Sequence, residues 1–138
     1  MDSCAELVSI VERLGRETTR PRQFLLRLGT EAAGIRRGPL GFVDLARGGS
    51  NRLHGGGIRK PLDDRTGGQV RHFAGIATAA ARVGPTPTRW LSILIGRDHP
   101  ASADGRLTDL AVSFARQLLS GELPTTDAAG WVERNICA

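Results

Sequence analysis

The chain has 138 residues, a formal net charge of +5 and a hydrophobic content of 40%. A domain of this size buries about two-thirds of the surface that its unfolded chain exposes, so folding requires neither a metal nor a disulfide. No apolar run approaches the roughly 18 residues that a membrane-spanning helix needs, and we expect no span. We therefore predict one domain over residues 1–138.

Charge is distributed unevenly along the chain. Residues 1–12 contain three acids and no base, residues 13–71 contain thirteen bases and five acids, and residues 72–138 contain six of each. The acidic beginning differs from a secretory signal, so we expect a cytoplasmic protein, with secretion that needs no signal peptide left open. The positive middle predicts attraction to an acidic protein or to another polyanion. Nearly all of the bases are arginines, a bias typical of GC-rich bacterial genomes.

The predicted elements begin with two helices. Ser3–Glu6 has the capping-box pattern, in which two side chains satisfy each other's backbone N–H groups at a helix start. Four apolar residues then recur at helical spacing: Leu7, Ile10, Val11 and Leu14. Gly15 is the predicted stop of this helix. The second helix is predicted to begin at Pro21, because the first helical position needs no N–H donor, and Gly29 is expected to weaken its middle.

Residues 38–68 are predicted to form a glycine-rich loop, since nine of these 31 residues are glycines. Long loops inside compact domains are usually functional or mobile, and we expect residues 46–60 to be the most mobile part. Residues 41–46 favour a short strand or a helical turn. Five apolar side chains are expected to hold parts of the loop on the core: Leu40, Phe42, Val43, Leu45 and Leu53.

Four further helices follow the loop. Thr66–Gln69 is a second capping box, and the apolar stripe of the helix after it ends at Gly84. Thr86 is the predicted cap of the next helix, which uses Trp90, Leu91 and Leu94. The strongest stripe comes after it, stops at Gly121 and contains Leu107, Leu110, Ala111, Phe114 and Leu118. The last helix is predicted over residues 126–136. The predicted fold class is therefore all-α, a compact bundle of five to six helices with a glycine-rich loop at about 38–68.

The two cysteines, Cys4 and Cys137, lie almost at the two ends of the chain. In a reducing cytosol we expect them to be two free thiols, one on each terminal helix. The alternative is a disulfide that joins the first helix to the last and closes nearly the whole chain.

A polar site is predicted where two helices meet. On a helical wheel, Gln69 falls inside an apolar stripe and His72 lies at its edge. The same construction places Asp104 at the flank of the later helix, whereas Asp109 points towards solvent. Buried polar groups need partners, so we expect His72 to meet Asp104. The pair is either structural or catalytic, because a carboxylate beside an imidazole makes it a usable general acid or base. The candidate catalytic residues are His72, Asp104 and Gln69.

No cofactor is predicted. A metal site would draw on four scattered residues: His72, Asp98, His99 and Asp104. No two histidines share one helix face, so we expect no metal. The segment 54–57 looks like the oxyanion loop of lipases and esterases, but the Gly-x-Ser-x-Gly nucleophile motif that such a loop serves is missing.

The basic residues beside the loop glycines are candidates for contact with a partner: Arg52, Arg59 and Lys60. Nucleic acid is an alternative partner, because the arginines of residues 13–71 could contact phosphates. Stacking aromatics are scarce in that region, where Phe24 and Phe42 are both expected in the core.

One short pattern resembles a known type of domain. Gln69–Phe73 contains an Arg-His pair early in a helix, and Asp104 and Asp109 follow on a later helix. This arrangement is similar to helical domains of unassigned function, some of which lie at the C-termini of bacterial polymorphic toxins. The resemblance covers residues 66–137 and implies an effector-like or enzymatic role around His72. It departs at residues 111–113, where those domains usually have asparagines.

The leading hypothesis is a small helical binding protein whose basic N-terminal half contacts an acidic partner. The alternatives are a small hydrolase or toxin-like effector that uses His72 with Asp104, and a nucleic-acid-binding protein. The sequence indicates no class of small-molecule substrate.

Overall fold

The computed structural model describes residues 2–47, 49–53, 55–88 and 103–138, apart from the side chain of Asp104. These residues form α1 (Ser3–Glu17), α2 (Pro21–Ala33), α3 (Gly41–Ala46), α4 (Gln69–Val83), α5 (Ala103–Ser120) and α6 (Ala128–Asn135). Short 3₁₀ turns lie at Lys60–Leu62 and Thr125–Asp127. In the described part of the chain β pairing is limited to one isolated antiparallel bridge, between Ile58 and Cys137. The prediction of an all-α bundle is confirmed.

The first helix differs from its prediction at both ends. Asp2, not Ser3, is the N-cap, and its carboxylate accepts a 2.8 Å hydrogen bond from the Ala5 N–H. The Ser3 hydroxyl is directed at the glycine-rich loop instead. Gly15 does not stop α1 but lies within it, where a Cβ would come 2.4 Å from the Thr125 carbonyl oxygen. The missing side chain therefore lets the Thr125–Asp127 turn pack on α1.

The second helix begins at Pro21 as predicted and ends at Gly34, which adopts the left-handed conformation. Gly29 marks the close crossing of α2 and α4, because a Cβ there would lie 2.6 Å from the Thr78 Cβ. The residue predicted to weaken α2 thus allows it to pack closely on its neighbour.

The helix α5 keeps its predicted apolar stripe, whereas the N-terminal cap predicted for α4 does not form. Gly68 is the N-cap of α4 and provides no side chain, so the capping box predicted at Thr66–Gln69 does not form. A helical turn at 85–88 begins one residue before Thr86, the predicted cap. Gly121, at φ +85°, follows the end of α5 as expected. The residues predicted for the middle of the fourth helix, Trp90, Leu91 and Leu94, lie outside the described residues.

The core is built around four aromatic rings: Phe24, Phe73, Phe114 and Trp131. The ring centroids of Phe114 and Trp131 are 4.9 Å apart, and those of Phe73 and Phe114 are 5.2 Å apart. Tilted aromatic pairs at this spacing contribute about 0.5–1.5 kcal/mol beyond their buried area. The cluster connects α2, α4, α5 and α6, and it contributes to the packing of the second half of the chain on the first.

The two ends of the chain are joined. Cys4 and Cys137 form a disulfide with a Cα–Cα distance of 5.8 Å, so the expectation of two free thiols is wrong. Residues 55–59 run between the ends: Cys4 N–H donates to the Gly56 carbonyl, and Ala138 N–H donates to the Gly57 carbonyl at 2.7 Å. Ile58 is buried at 7% exposure. This part of the predicted mobile segment is therefore anchored at both sides.

Candidate functional site

The loop before α4 holds Gln69 through a carboxylate. Gln69 is 3% exposed, and its side-chain amide donates to Asp64 Oδ1. The same oxygen accepts hydrogen bonds from the Thr66 backbone N–H at 2.9 Å and the Thr66 hydroxyl at 2.6 Å. The buried amide predicted for this position thus has a local partner, and it fixes the loop that leads into α4.

His72 lies one turn further along α4 and is half-buried, as predicted. Its Nε2 is 2.7 Å from Oγ1 of Thr108, a residue of α5 that is 1% exposed. Which atom donates depends on the imidazole tautomer. Asp104 belongs to the first turn of α5, one helical turn before Thr108, and its side chain lies outside the described residues. The predicted pairing of His72 with Asp104 therefore stays a prediction.

The His72–Thr108 contact sets the chemistry that this junction can support. An imidazole can activate a hydroxyl as a nucleophile, but only where substrate reaches the oxygen. Thr108 is almost fully buried between α4 and α5, which suits a structural hydrogen bond. Arg106 adds a second link at this end of α5, because its guanidinium donates to the Pro61 carbonyl at 3.2 Å.

The three basic residues predicted to contact a partner lie against different elements. Arg59 Nε donates to the Cys137 carbonyl at 3.1 Å, and its NH2 donates to the Arg134 carbonyl. Arg59 therefore caps the C-terminal end of α6, where a positive charge is favourable. Lys60 is exposed and begins the 3₁₀ turn beside it. Arg52 is exposed and lies next to Gly34 at the end of α2.

The arginines of α1 and α2 are largely neutralised by glutamates. Arg13 contacts Glu17 of its own helix and Glu31 of α2, and Arg27 contacts Glu31 of its own helix and Glu17 of α1. Hydrogen bonds from Arg27 and then Arg13 lower the pKa of Glu17, and the hydrogen bond to Glu31 raises the pKa of Arg13. This pairing removes part of the positive charge that the sequence assigned to the first half.

The short helix α3 has its polar side inward. Gly41 is buried against the Arg36 carbonyl oxygen, which would lie 2.2 Å from a Cβ at this position. Asp44 also faces inward and accepts hydrogen bonds from the Arg36 backbone N–H at 2.8 Å and Nε at 3.0 Å. These bonds, the side-chain one first, lower the pKa of Asp44 to about 2. Leu45 is partly buried against the core, so Gly41, Asp44 and Leu45 hold the helix in place.

The outward side of α3 is apolar. Leu40 is 55% exposed, Phe42 is 53% exposed and Val43 is 41% exposed, so the prediction that these residues join the core is wrong. The Arg82 guanidinium stacks over the Phe42 ring, 4.9 Å from its centroid, and donates to the Arg36 carbonyl. We define the α3 patch as these apolar side chains and the neighbouring arginines: Leu40, Phe42, Val43, Arg36, Arg37, Arg47 and Arg82.

Leu40, Phe42 and Val43 were predicted to be core residues because apolar side chains are usually buried in folded proteins. The signal was present in the spacing: Gly41, Asp44 and Leu45 share one helical face, which leaves Phe42 and Val43 on the other. A glycine and an aspartate on the face that carries the anchoring leucine indicate that the remaining apolar residues point outward.

Beside the disulfide lies an open cleft of about 360 Å³, lined in part by Asp2, Val8 and Glu133. The Asp2 carboxylate already caps α1. Within the described residues no three His, Cys, Asp or Glu side chains are grouped as metal ligands. Asp98 and His99, named as candidate ligands, lie outside these residues, as does His54. No helix in the described ranges is both long and apolar enough to cross a membrane.

Comparison of the chain with protein-family models, with curated proteins and with solved structures finds no match.

Proposed function

We propose that this protein is a binding module whose basic first half contacts an acidic partner, and that the α3 patch is the centre of the contact. The observation that carries the proposal is the exposure of Phe42 at 53% beneath a stacked arginine. Aromatic and arginine side chains dominate the energetics of protein interfaces.

The charge around α3 supports the same proposal. The patch contains four arginines and one facing carboxylate, Asp44, which is ion-paired with Arg36 and so leaves an excess of positive charge. On α1 and α2, by contrast, glutamates offset Arg13 and Arg27. The excess of positive charge around α3 would attract an acidic partner.

The alternatives draw less support. A hydrolase or toxin-like effector at His72 needs a reactive group that substrate can reach, and Thr108, the hydroxyl bound to His72, is 1% exposed. A nucleic-acid-binding role gains Phe42 as an exposed ring, but Phe24 is fully buried. Base stacking by proteins that bind single strands usually uses several exposed aromatics.

The disulfide bears on location. Disulfides persist mainly in oxidising compartments and are rare in the cytosol. Since Cys4 is bonded to Cys137, we favour an oxidising compartment over the cytoplasm that the sequence led us to expect.

Heparin affinity tests the proposed function, with heparin as the polyanionic probe. We expect binding at low salt that weakens by about tenfold or more between about 50 and about 200 mM salt, because bound counterions are released. The R37E/R47E variant should bind more weakly still. The matched control is R116E/R134E, which makes the same change in net charge on α5 and α6 and should retain most of the affinity.

Three results would overturn the proposal: no binding at low salt, binding that is indifferent to salt, or equal losses in the two variants. Duplex DNA is measured in parallel. A preference for one DNA sequence over others would favour the nucleic-acid alternative instead.

A further inference from the structure

We infer that the α3 patch is a docking site for an anionic lipid surface. The inference rests on the proposed function, since it names the class of the acidic partner. It uses the apolar side chains of the patch as well as its charge.

The patch lies on a largely exposed segment of the chain. Within residues 36–47, every residue is exposed except Gly41, Asp44 and Leu45, and Leu45 packs against the core. The exposed apolar side chains can enter the boundary between lipid headgroups and acyl chains, where apolar side chains of interfacial helices are buried.

Charge and apolarity occur together on this segment. Arg36 and Arg37 precede the three exposed apolar residues, and Arg47 follows them. Arginine stems are long enough to cover apolar surface while their guanidinium groups remain among the headgroups. Juxtaposed basic residues of this kind are attracted to anionic lipids, whereas a purely apolar patch would not distinguish lipid charge.

The patch is already ordered before any partner binds. The Arg36–Asp44 ion pair fixes the start of α3, with its NH2 and Oδ1 atoms 3.0 Å apart. Arg82 fixes the Phe42 ring and donates to the Gly38 carbonyl at 3.2 Å. Docking therefore requires little additional ordering, which removes one of the main costs of association.

Vesicle co-sedimentation of the full-length, disulfide-bonded protein tests the inference. The probes are vesicles of phosphatidylcholine alone and vesicles that also contain phosphatidylglycerol. We expect partitioning into the anionic vesicles to be stronger by about tenfold or more, given three or four nearby arginines. F42S/V43S should reduce this partitioning by about tenfold, because two apolar side chains no longer enter the interface.

The matched control for F42S/V43S is L119S, which replaces an apolar side chain that is 38% exposed on α5 and outside the patch. It should partition as the wild type does. Because Phe42 and Val43 are exposed, all three proteins should give the same circular dichroism spectrum and closely similar melting temperatures, which excludes misfolding as the cause of a loss.

The remaining outcomes separate this inference from the proposed function. Heparin binding without binding to either vesicle would overturn the lipid inference and favour an acidic protein partner. Vesicle binding that R37E/R47E abolishes and F42S/V43S leaves intact would also overturn it, because the contact would then be electrostatic alone. If the wild-type protein bound neither heparin nor vesicles, the proposed function itself would be overturned.

Discussion

At the scale of single residues, the arginines of this protein differ in role according to the partner each one meets. Arg13 and Arg27 are held by glutamates between α1 and α2. Arg59 binds backbone carbonyls at the end of α6. Arg82 stacks on an exposed ring. Formal charge is the same in every case, so only the partners decide which arginines contribute positive potential to the surface.

Replacement of His72 tests whether its site is structural. His72→Ala should lower the free energy of unfolding by about 1–3 kcal/mol, because the buried Thr108 hydroxyl loses a hydrogen-bond partner. Chemical denaturation measures the change. Thr108→Val removes the other partner, and in the double variant the losses should not add, since both changes disrupt one contact. A His72→Ala protein with unchanged stability would argue for a functional site at this position.

Titration of Asp44 tests the anchoring of α3. Its pKa is lowered to about 2, so the ion pair with Arg36 stabilises the folded protein at pH values above the ordinary carboxyl pKa, roughly 4. That contribution should disappear as the pH falls from roughly 4 through about 2. NMR of the Asp44 carboxyl carbon measures the titration directly. In Arg36→Gln the pKa should move back towards its ordinary value, and an unchanged pKa in that variant would contradict the assigned cause.

At the scale of elements, two helical glycines lie in different surroundings, one at a close helix crossing and one with free space beside it. Gly29 on α2 faces Thr78 at the crossing with α4, whereas the nearest atom to a Cβ at Gly75 of α4 would be Ile35 Cδ1 at 3.9 Å. Both are interior helix positions, where alanine is intrinsically favoured over glycine by about 1 kcal/mol. Their different surroundings should therefore reverse the effect of the same substitution.

We expect Gly29→Ala to destabilise the protein by about 1–3 kcal/mol, because the added methyl would force α2 and α4 apart. The matched variant Gly75→Ala should be neutral or more stable by up to about 1 kcal/mol. Melting temperatures of the two variants provide the comparison. Equal effects in the same direction would show that helix propensity, not the α2–α4 crossing, controls both positions.

At the scale of the whole molecule, the disulfide closes the fold. Cys4 and Cys137 are 133 positions apart, and residues 55–59 lie between the two ends that they join. The bridge restricts almost the entire unfolded chain. It also holds α1 and the C-terminal segment against the loop, so the order of that loop depends on the covalent link as well as on packing.

Reduction should therefore destabilise the protein strongly. In the chain-entropy model, a closed loop of this length stabilises the fold by about 5 kcal/mol. The melting temperature should fall in reductant, and amide exchange should become faster at residues 55–59. The C4S/C137S variant should show the lower melting temperature without reductant and no further decrease with it. A wild-type melting temperature that is insensitive to complete reduction would contradict a stabilising bridge.

The amino-acid sequence by itself determined the helices whose apolar spacing is regular. The stripe of α5 with Phe114, the start of α2 at Pro21 and the burial of Gln69 were all predictable, because periodicity and local backbone chemistry act over a few residues. Half-burial of His72 also followed from its position on the wheel. Its contact with Thr108 did not, because a hydrogen bond across two helices depends on how those helices cross.

Only the tertiary structure decided the features that join distant residues. Composition left the two cysteines either free or bonded, and the folded chain brings Cys4 and Cys137 together. The α3 patch was predicted as core, since apolar residues are usually buried. Its true exposure follows from Gly41 and Asp44, which use the inner face of the helix for contacts with Arg36 and Arg82. The spacing of Gly41, Asp44 and Leu45 on one face carried a local signal of this orientation, but the contact with Arg82 from α4 depends on the tertiary structure.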